Sequence, residues 1–313
     1  MSDLYQVSSN PHIRDKSTTS SIMLDVIIAL IPATLFGIWN FGVHAALNVV
    51  VAVAAAIAAE AAFQHFTKQK ITIRDLSAAV TGLLLALNVP PSFPLWMTIL
   101  GAVFAIVVAK QVFGGLGQNF MNPALAGRVF LFLSFSKQMA EFTYDGVTGA
   151  TPLALLKKTG NVTDLKNMFL GTEAGTIGET SVIALLIGGI YLLVKKIIDY
   201  RIPLCYLLSF IVCMILFGGH GFSFEFVAAQ LCGGGLMLGA FFMATDYATS
   251  PITPAGRIVF GILLGILTAI IRVFGSYAEG VSFAIIFCNL LVPIIEKYTV
   301  PKMFGAVKHK KEV

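Results

Sequence analysis

The sequence predicts an all-α polytopic membrane protein of about ten transmembrane helices, arranged as two five-helix inverted repeats with broken or re-entrant helices. Three observations lead there: a composition too apolar for a water-facing surface, ten apolar stretches of helical length, and helix-breaking clusters inside several of them. Of 313 residues, 57% are hydrophobic and 12% charged, with a mean hydropathy of +0.86; a soluble domain carries about a quarter charged residues. Such a chain cannot cover itself with polar groups, so lipid is the solvent for much of it. The opening MSDLYQVSSNPHIRDKSTTSS is polar and lacks the basic, apolar, small-residue order of a cleaved signal, which makes the first apolar stretch a retained span.

Crossing about 30 Å of hydrocarbon as helix takes near 20 residues, fewer where the helix is broken. The stretches are Ile22 to Asn40, Val43 to Gln64, Leu76 to Val89, Leu95 to Val112, Met121 to Phe135, Thr180 to Val194, Ile202 to Phe217, Phe226 to Ala244, Ile258 to Ile271 and Val281 to Ile295. They divide the chain into an amino-terminal segment with the first five spans (1–135), a polar interval (136–179), the second five spans (180–296) and a basic tail (297–313).

Orientation follows from the basic residues. With the amino terminus in the cytoplasm, Arg14, Lys16, Lys68, Lys70, Arg74, Lys110, Arg128, Lys195, Lys196, Arg201, Arg257, Lys297, Lys302, Lys308, Lys310 and Lys311 fall inside, sixteen of the twenty-one. Only Lys137, Lys157, Lys158, Lys166 and Arg272 fall outside. Both termini are then cytoplasmic and the interval 136–179 faces outward. Because five is odd, the second half enters the membrane inverted, a common transporter design. Two internal echoes bear on this: Gly82-Leu83-Leu84-Leu85-Ala86 with Gly235-Leu236-Met237-Leu238-Gly239, and Ala126-Gly127-Arg128-Val129-Phe130 with Ala255-Gly256-Arg257-Ile258-Val259. Their registers differ, so one simple repeat cannot contain both.

Three places carry helix-breaking chemistry. Asn88 to Pro94 holds three prolines, and reads either as a tight outer loop or as a cofactor-lining segment. GGLGQNFMNPALAGR, from Gly114, puts Asn119, Asn122 and Arg128 near membrane depth, where irregular backbone needs protein or a polar cavity around it. MATDYATSPITPAGR, from Met243, contains Asp246, which at a helix centre would cost about 2.5–3.5 kcal/mol and so should face a cavity, an ion or Arg257; the alternative is a hydrated cytoplasmic loop. Asp25 starts the first span and Glu60 lies towards the inner end of the second, where it can snorkel. Asp25, Glu60 and Asp246 are the candidate cation contacts, although a carboxylate at a helix end is also an ordinary feature.

Other chemistries are absent from the pattern. Cys205, Cys213, Cys232 and Cys288 form no C-x-x-C pair and read as buried inert thiols, and the five histidines are scattered, so no metal site is expected. There is no Walker loop, nucleophile elbow or Rossmann fingerprint, which argues against ATP hydrolysis. The net charge of +5 is accounted for by topology rather than nucleic acid.

The polar interval contains DGVTGATPLA, Asp145 to Ala154. Read locally, Thr-Gly-Ala-Thr is a turn before a helix begun by Pro152. Asp145-Gly146-Val147-Thr148-Gly149-Ala150-Thr151 also resembles the D-x-x-S/T-G-A-T flavinylation sequence. Together with NFMNPALAGR, MATDYATSP and the ten-span pattern, it makes nearly the full length similar to the RnfD family, the D-type subunits of Rnf electron-transport complexes. That family is related to the NqrB component of the sodium-pumping NADH:quinone oxidoreductase and urea-transporter-like in fold.

The resemblance implies FMN joined through a phosphoester to Thr151, with Asp145, Thr148, Gly149 and Ala150 completing the motif. Gly149 and Ala150 would leave the hydroxyl open to a transferase that attacks the pyrophosphate of FAD. It implies a second, non-covalent riboflavin, for which Asn119, Asn122, Asp246, Thr249 and Ser250 are candidate contacts. It further implies a translocase component inactive alone, in a bacterial or archaeal cytoplasmic membrane. There it would relay electrons between ferredoxin and NAD beside sister Rnf subunits of types A, B, C, E and G, coupled to Na+ or H+ export. The rival readings are the quinone-reductase component and a urea-transporter-like channel without redox chemistry.

Overall fold

The computed structural model describes residues 17–144, 147–160, 164–179, 181–275 and 277–301. Apart from one two-stranded ribbon, β1 (Phe142–Tyr144) against β2 (Val147–Gly149), its regular elements are helices. In chain order these are α1 (Thr19–Phe41), α2 (Val43–Phe66), α3 (Ser77–Leu87), α4 (Leu95–Val103), α5 (Pro123–Ser134), α6 (Ser136–Met139), α7 (Pro152–Thr159), α8 (Leu165–Leu170), α9 (Val182–Val194), α10 (Arg201–Phe217), α11 (Phe224–Cys232), α12 (Leu236–Leu238), α13 (Pro254–Phe274) and α14 (Val281–Thr299). A 3₁₀ turn, Ile73–Asp75, precedes α3.

Helix occupies each of the ten apolar stretches. Among the described residues, α1, α2, α13 and α14 are each long and apolar enough to cross a membrane, and α11 with α12, bent by 63°, would make a fifth span. The other apolar helices have 10–17 residues. Short helices at such depth leave irregular backbone that must be buried in protein, and α3 meets the requirement: every one of its side chains is buried.

Two stretches share an unusual local order. α4 runs into a π-helical segment, Phe104–Gln111, and α12 into another, Gly239–Met243. Each is followed by a loop and then by a helix with proline in its first turn and a capping side chain before it, Asn122 for α5 and Thr253 for α13. The second sequence echo falls at these two helix starts. π-segments arise where an extra residue is accommodated in a helix, often beside functional sites.

Small residues allow close helix packing, the usual device where lipid supplies no hydrophobic drive between helices. Gly261 and Gly265 of α13 face Cys205, Tyr206 and Ser209 of α10 so closely that a Cβ on either would collide. At the break between α11 and α12, Gly234 and Gly235 take positive φ of 71° and 65°, a conformation that favours glycine.

Hydrogen bonds sort the described loops into two ends. At one end, Ser20 donates to Arg74 O, Ile252 N to Glu296, Tyr247 to Ile197 O and Arg257 to Asp199. Lys195 pairs there with Asp25. At the other end, Asn40 donates to Gly171 O, while Ile177 N and Gly178 N donate to Val89 O and Leu87 O. The start of α1 and the end of α14 therefore lie together, opposite the interval 136–179.

Several sequence expectations are corrected here. Glu60 does not snorkel: it is 1% exposed and pairs with Lys110 at 3.1 Å. Lys110 is thus no loop charge, and Arg128 reaches from the middle of α5 towards the end that carries the polar interval. Asp25 lies one to two turns into α1 rather than at its start. Asn88 to Pro94 is a tight, largely buried break at the end that carries the polar interval, as the outer-loop reading has it, held by Asn48 Nδ2, which donates to Phe93 O at 3.0 Å, and by a 2.7 Å contact of His44 with Pro91 O. Asp246 does not meet Arg257, which instead donates to Asp199 Oδ2 at 2.5 Å.

Candidate cofactor cavities

Thr151 caps α7. Its Oγ1 accepts the amide of Ala154 at 3.3 Å, and Pro152 opens the helix, as the turn-before-helix reading expects. Among the described residues the hydroxyl hydrogen has no acceptor, and the amino-terminal end of α7 favours a negative group beside it. Gly149 and Ala150 are exposed, and a Cβ on Gly149 would meet nothing within 4 Å, so approach to Thr151 is open. Asp145 and Gly146 lie outside the described residues, as does the side chain of Thr148.

Thr151 lines a cavity of about 510 Å³. That lies within the roughly 300–1,000 Å³ usual for small-molecule sites. Phe132, Phe142, Tyr277 and Phe283 supply aromatic wall, and Arg128, Lys157 and Lys158 supply positive charge. Phe132 meets Tyr277 edge-on, with ring centroids 5.1 Å apart. Arg128 donates to Ser282 Oγ at 2.6 Å and to Glu279. Lys157 donates to the carbonyls of Arg272 (2.9 Å), Gly275 (2.5 Å) and Tyr277 (2.9 Å), which fastens α7 to the turn between α13 and α14. Partial burial lowers the Lys157 pKa from its ordinary value. An aromatic wall, cationic groups and a free hydroxyl suit a flavin nucleotide.

A second, lower cavity, about 80 Å³, lies where the two π-segments and their loops meet. Asn119, Asn122, Lys110, Thr245, Asp246 and Tyr247 contribute polar groups to it. Asn122 ties both breaks together: its Oδ1 accepts the amides of Ala124 and Leu125, and its Nδ2 donates to Met243 O at 3.2 Å. In the amide orientation that satisfies both of its ends, Asn289 donates to Thr249 O and accepts from the Asn122 amide, each at 3.1 Å. Asp246 accepts from Thr249 Oγ1 at 3.0 Å, and Ser250 N bonds to Asp246 O, so Thr249 and Ser250 form the turn behind the acid. The donors and acceptors suit the polar edge of a riboflavin, but the volume is well below an ordinary cofactor cleft, so a tricyclic ring requires this cavity to widen.

The three candidate cation contacts are not gathered at one site. Asp25 accepts from Tyr191 (2.8 Å) and Lys195 (3.0 Å). Both Glu60 oxygens accept from Lys110, and Gln111 and Gln64 donate to Oε1 at 2.7 and 3.3 Å. Lys110 also donates to Ser77 Oγ at 2.6 Å and, with Asp246, lines the lower cavity. Among the described residues no cluster of His, Cys, Asp and Glu is arranged to hold a metal ion, and all four cysteines are free, Cys205 and Cys232 being only half-buried.

Comparison with known proteins places the chain in a family. Residues 6–305 match the family described as NQR2, RnfD, RnfE. The chain belongs to that family. It is 48% identical to the D subunit of the Na(+)-translocating ferredoxin:NAD(+) oxidoreductase complex of Acetobacterium woodii, covering 98% of this chain and 97% of the relative. It is 41% identical to the D subunit of the proton-translocating ferredoxin:NAD(+) oxidoreductase complex of Clostridium ljungdahlii, with 97% of each covered. The D subunit of the ion-translocating oxidoreductase complex of Citrobacter koseri is 37% identical over 96% of this chain and 99% of its own length. Two of these relatives differ in the named ion, so family membership leaves the choice of Na+ or H+ open.

Sequence reasoning missed Glu179, Glu279, Thr176, Asn289 and the Glu60–Lys110 pair. For the two glutamates the available signal was a lone acid directly flanking an apolar stretch. For Asn289 it was an amide in the middle of one.

Proposed function

We propose that this chain is the RnfD-type component of an ion-translocating ferredoxin:NAD oxidoreductase complex, carrying FMN on Thr151 and riboflavin in the lower cavity. The observation that carries the reading is Thr151 itself: it caps α7 at the amino terminus and lines an aromatic and cationic cavity of about 510 Å³. FMN supplies redox chemistry when bound. This chain's residues hold and orient it: Thr151 provides the attachment oxygen, Arg128, Lys157 and Lys158 balance phosphate charge, and the aromatic wall excludes water. The printed activities of the relatives support the assignment to electron transfer coupled to ion movement.

α5 supports a relay between the two sites. Asn122 at its cap belongs to the lower cavity and Arg128 to the upper one, six residues or about 9 Å of helix rise apart. In this reading the ten apolar segments form two inverted five-helix halves in the cytoplasmic membrane. The end with both chain termini faces the cytoplasm and the Thr151 cavity faces outward. The basic residues at the terminal end support that orientation. Sister Rnf subunits of types A, B, C, E and G would deliver and remove electrons, with Na+ or H+ as the coupling ion.

The test is covalent flavin on a denaturing gel. Wild-type chain expressed with its flavin transferase is expected to show an acid-stable fluorescent band, Thr151→Ser to keep it, and Thr151→Ala to lose it completely while still inserting in membranes. A band that survives Thr151→Ala refutes the site. No band in the wild type favours a channel without redox chemistry, and ferredoxin rather than quinone as electron partner of the native complex separates this reading from the quinone-reductase component.

A further inference from the structure

The upper cavity has a smaller neighbour of about 40 Å³, lined by Glu173, Glu179 and Glu279 with Gly233 and Gly234. Thr151 and Glu279 belong to both walls. Thr176 lines the upper cavity and donates its hydroxyl to Glu179 Oε2 at 2.6 Å, so a hydrogen bond crosses the partition. Glu179 is 7% exposed, and its Oε1 has no hydrogen-bond partner among the described residues. That oxygen lies against the α11–α12 break, where a Cβ on Gly235 would collide with it.

The charged groups around Glu179 are Arg128 on α5, Glu279 before α14, Arg272 on α13 and Glu173 on its own connection. Neither guanidinium is its partner. Arg128 donates to Glu279 and Ser282, and Arg272 directs its terminal nitrogens to Gln230, Gly233 and Gly234. A buried carboxylate with one oxygen unpartnered is costly as an anion and is relieved by taking a proton. Burial first, and the nearby Glu279 second, push Glu179 up to about 7, outweighing the opposing pull of Arg128, Thr176 and Arg272. The three carboxylates are not arranged as a metal site.

We propose that Glu179 is an exchangeable proton site serving the Thr151 cavity, with the Thr176 hydroxyl passing the proton across the partition. In the transfer, the Thr176 hydroxyl first turns its hydrogen from Glu179 Oε2 towards the upper cavity; a proton on Oε2 then moves to Oγ1 while the hydrogen that Oγ1 carried passes to a water in that cavity, which becomes hydronium. Thr176 ends neutral, Glu179 ends as a carboxylate, one proton has changed place and no electron has moved. The purpose assigned to the site rests on the flavin reading, whereas the proton site rests on these side chains alone.

Infrared titration of the full-length chain in lipid vesicles tests it, in wild type and in a Thr151→Val background that cannot carry flavin. The expected result in both is a protonated-carboxyl band that fades as pH rises through about 7. Glu179→Gln should remove one component of the band and leave that of Glu173, Glu173→Gln should do the reverse, and the double variant should lose the band. Glu279→Gln should shift the midpoint to lower pH, and Thr176→Val to higher pH. A band unchanged in Glu179→Gln overturns the proposal. In flavinylated protein, Glu179→Gln should also flatten the pH dependence of the flavin midpoint potential around neutrality; an unchanged dependence overturns the link to the cavity. Because the Thr151→Val titration needs no flavin, failure of the gel test and failure of this proposal are distinguishable.

Discussion

The upper and lower cavities meet the same helix yet are built from opposite materials. Around Thr151 the wall is aromatic and cationic, about 510 Å³, and framed by the only long polar interval of the chain. Around Asn122 it is amide, carboxylate and ammonium, about 80 Å³, and framed by two π-segments and their loops. One is a volume of the size usual for small-molecule sites, walled by aromatic rings. The other is a closed polar junction whose integrity holds two helix breaks together. The difference teaches that a membrane protein can place polar chemistry at depth either by carrying it in from a loop or by breaking its own helices.

That contrast can be broken at the lower junction first. Lys110→Met would strand the Glu60 carboxylate, 1% exposed, in protein. Removing one partner of a buried pair costs about 3–5 kcal/mol, so a large loss of thermal stability in detergent is expected, with partial recovery when Glu60→Gln is added. Stability unchanged by Lys110→Met would show that the junction is wetter than its geometry implies.

Next in size is a pH effect at the upper site. Glu179 is raised from 4.5 to about 7. The folded protein therefore holds a proton that the unfolded chain has already released. Its contribution is fully present below pH 4.5 and declines as pH rises to about 7, so thermal stability should fall across that window and then level. Glu179→Gln should reduce the slope, leaving a residue from Glu173, also raised to about 7, first by burial and then by Asp164. A slope unchanged in Glu179→Gln would assign the effect elsewhere.

The smallest expected difference separates the two arginines of the repeated Ala-Gly-Arg. Arg128, with a 9% exposed side chain, serves Glu279 and Ser282 inside the upper cavity, while Arg257, 30% exposed, pairs with Asp199 at the opposite end. Arg128→Met should cost about 1–3 kcal/mol and weaken flavin retention. Arg257→Met should cost about 0–1 kcal/mol and leave the flavin band intact. Equal losses at both would mean that the two helix starts still act as one repeated device.

Much of this was legible in the chain because local rules decide it. Apolar run length set where helices lie, proline and asparagine set where α5 begins, and the small residues before Pro152 marked an accessible threonine. The misread residues share a cause. Glu60 and Lys110 read locally as charges near a helix end that meet water or headgroups, and Arg128 counts as a cytoplasmic charge, but Glu60 and Lys110 pair with each other and Arg128 with Glu279, contacts between distant segments that periodicity and spacing do not encode.

By itself, then, the amino-acid sequence determined a lipid-solvated helical chain, its breaks and the loop that carries Thr151, because composition, helix period and capping are properties of neighbouring residues. Only the tertiary structure decided that Arg128 belongs to the Thr151 cavity, that Glu60 is sealed by Lys110, and that Glu179 sets an oxygen with no partner among the described residues against Gly235. Those are consequences of which distant segments share a buried space, where a charge must find its counter-charge or a proton.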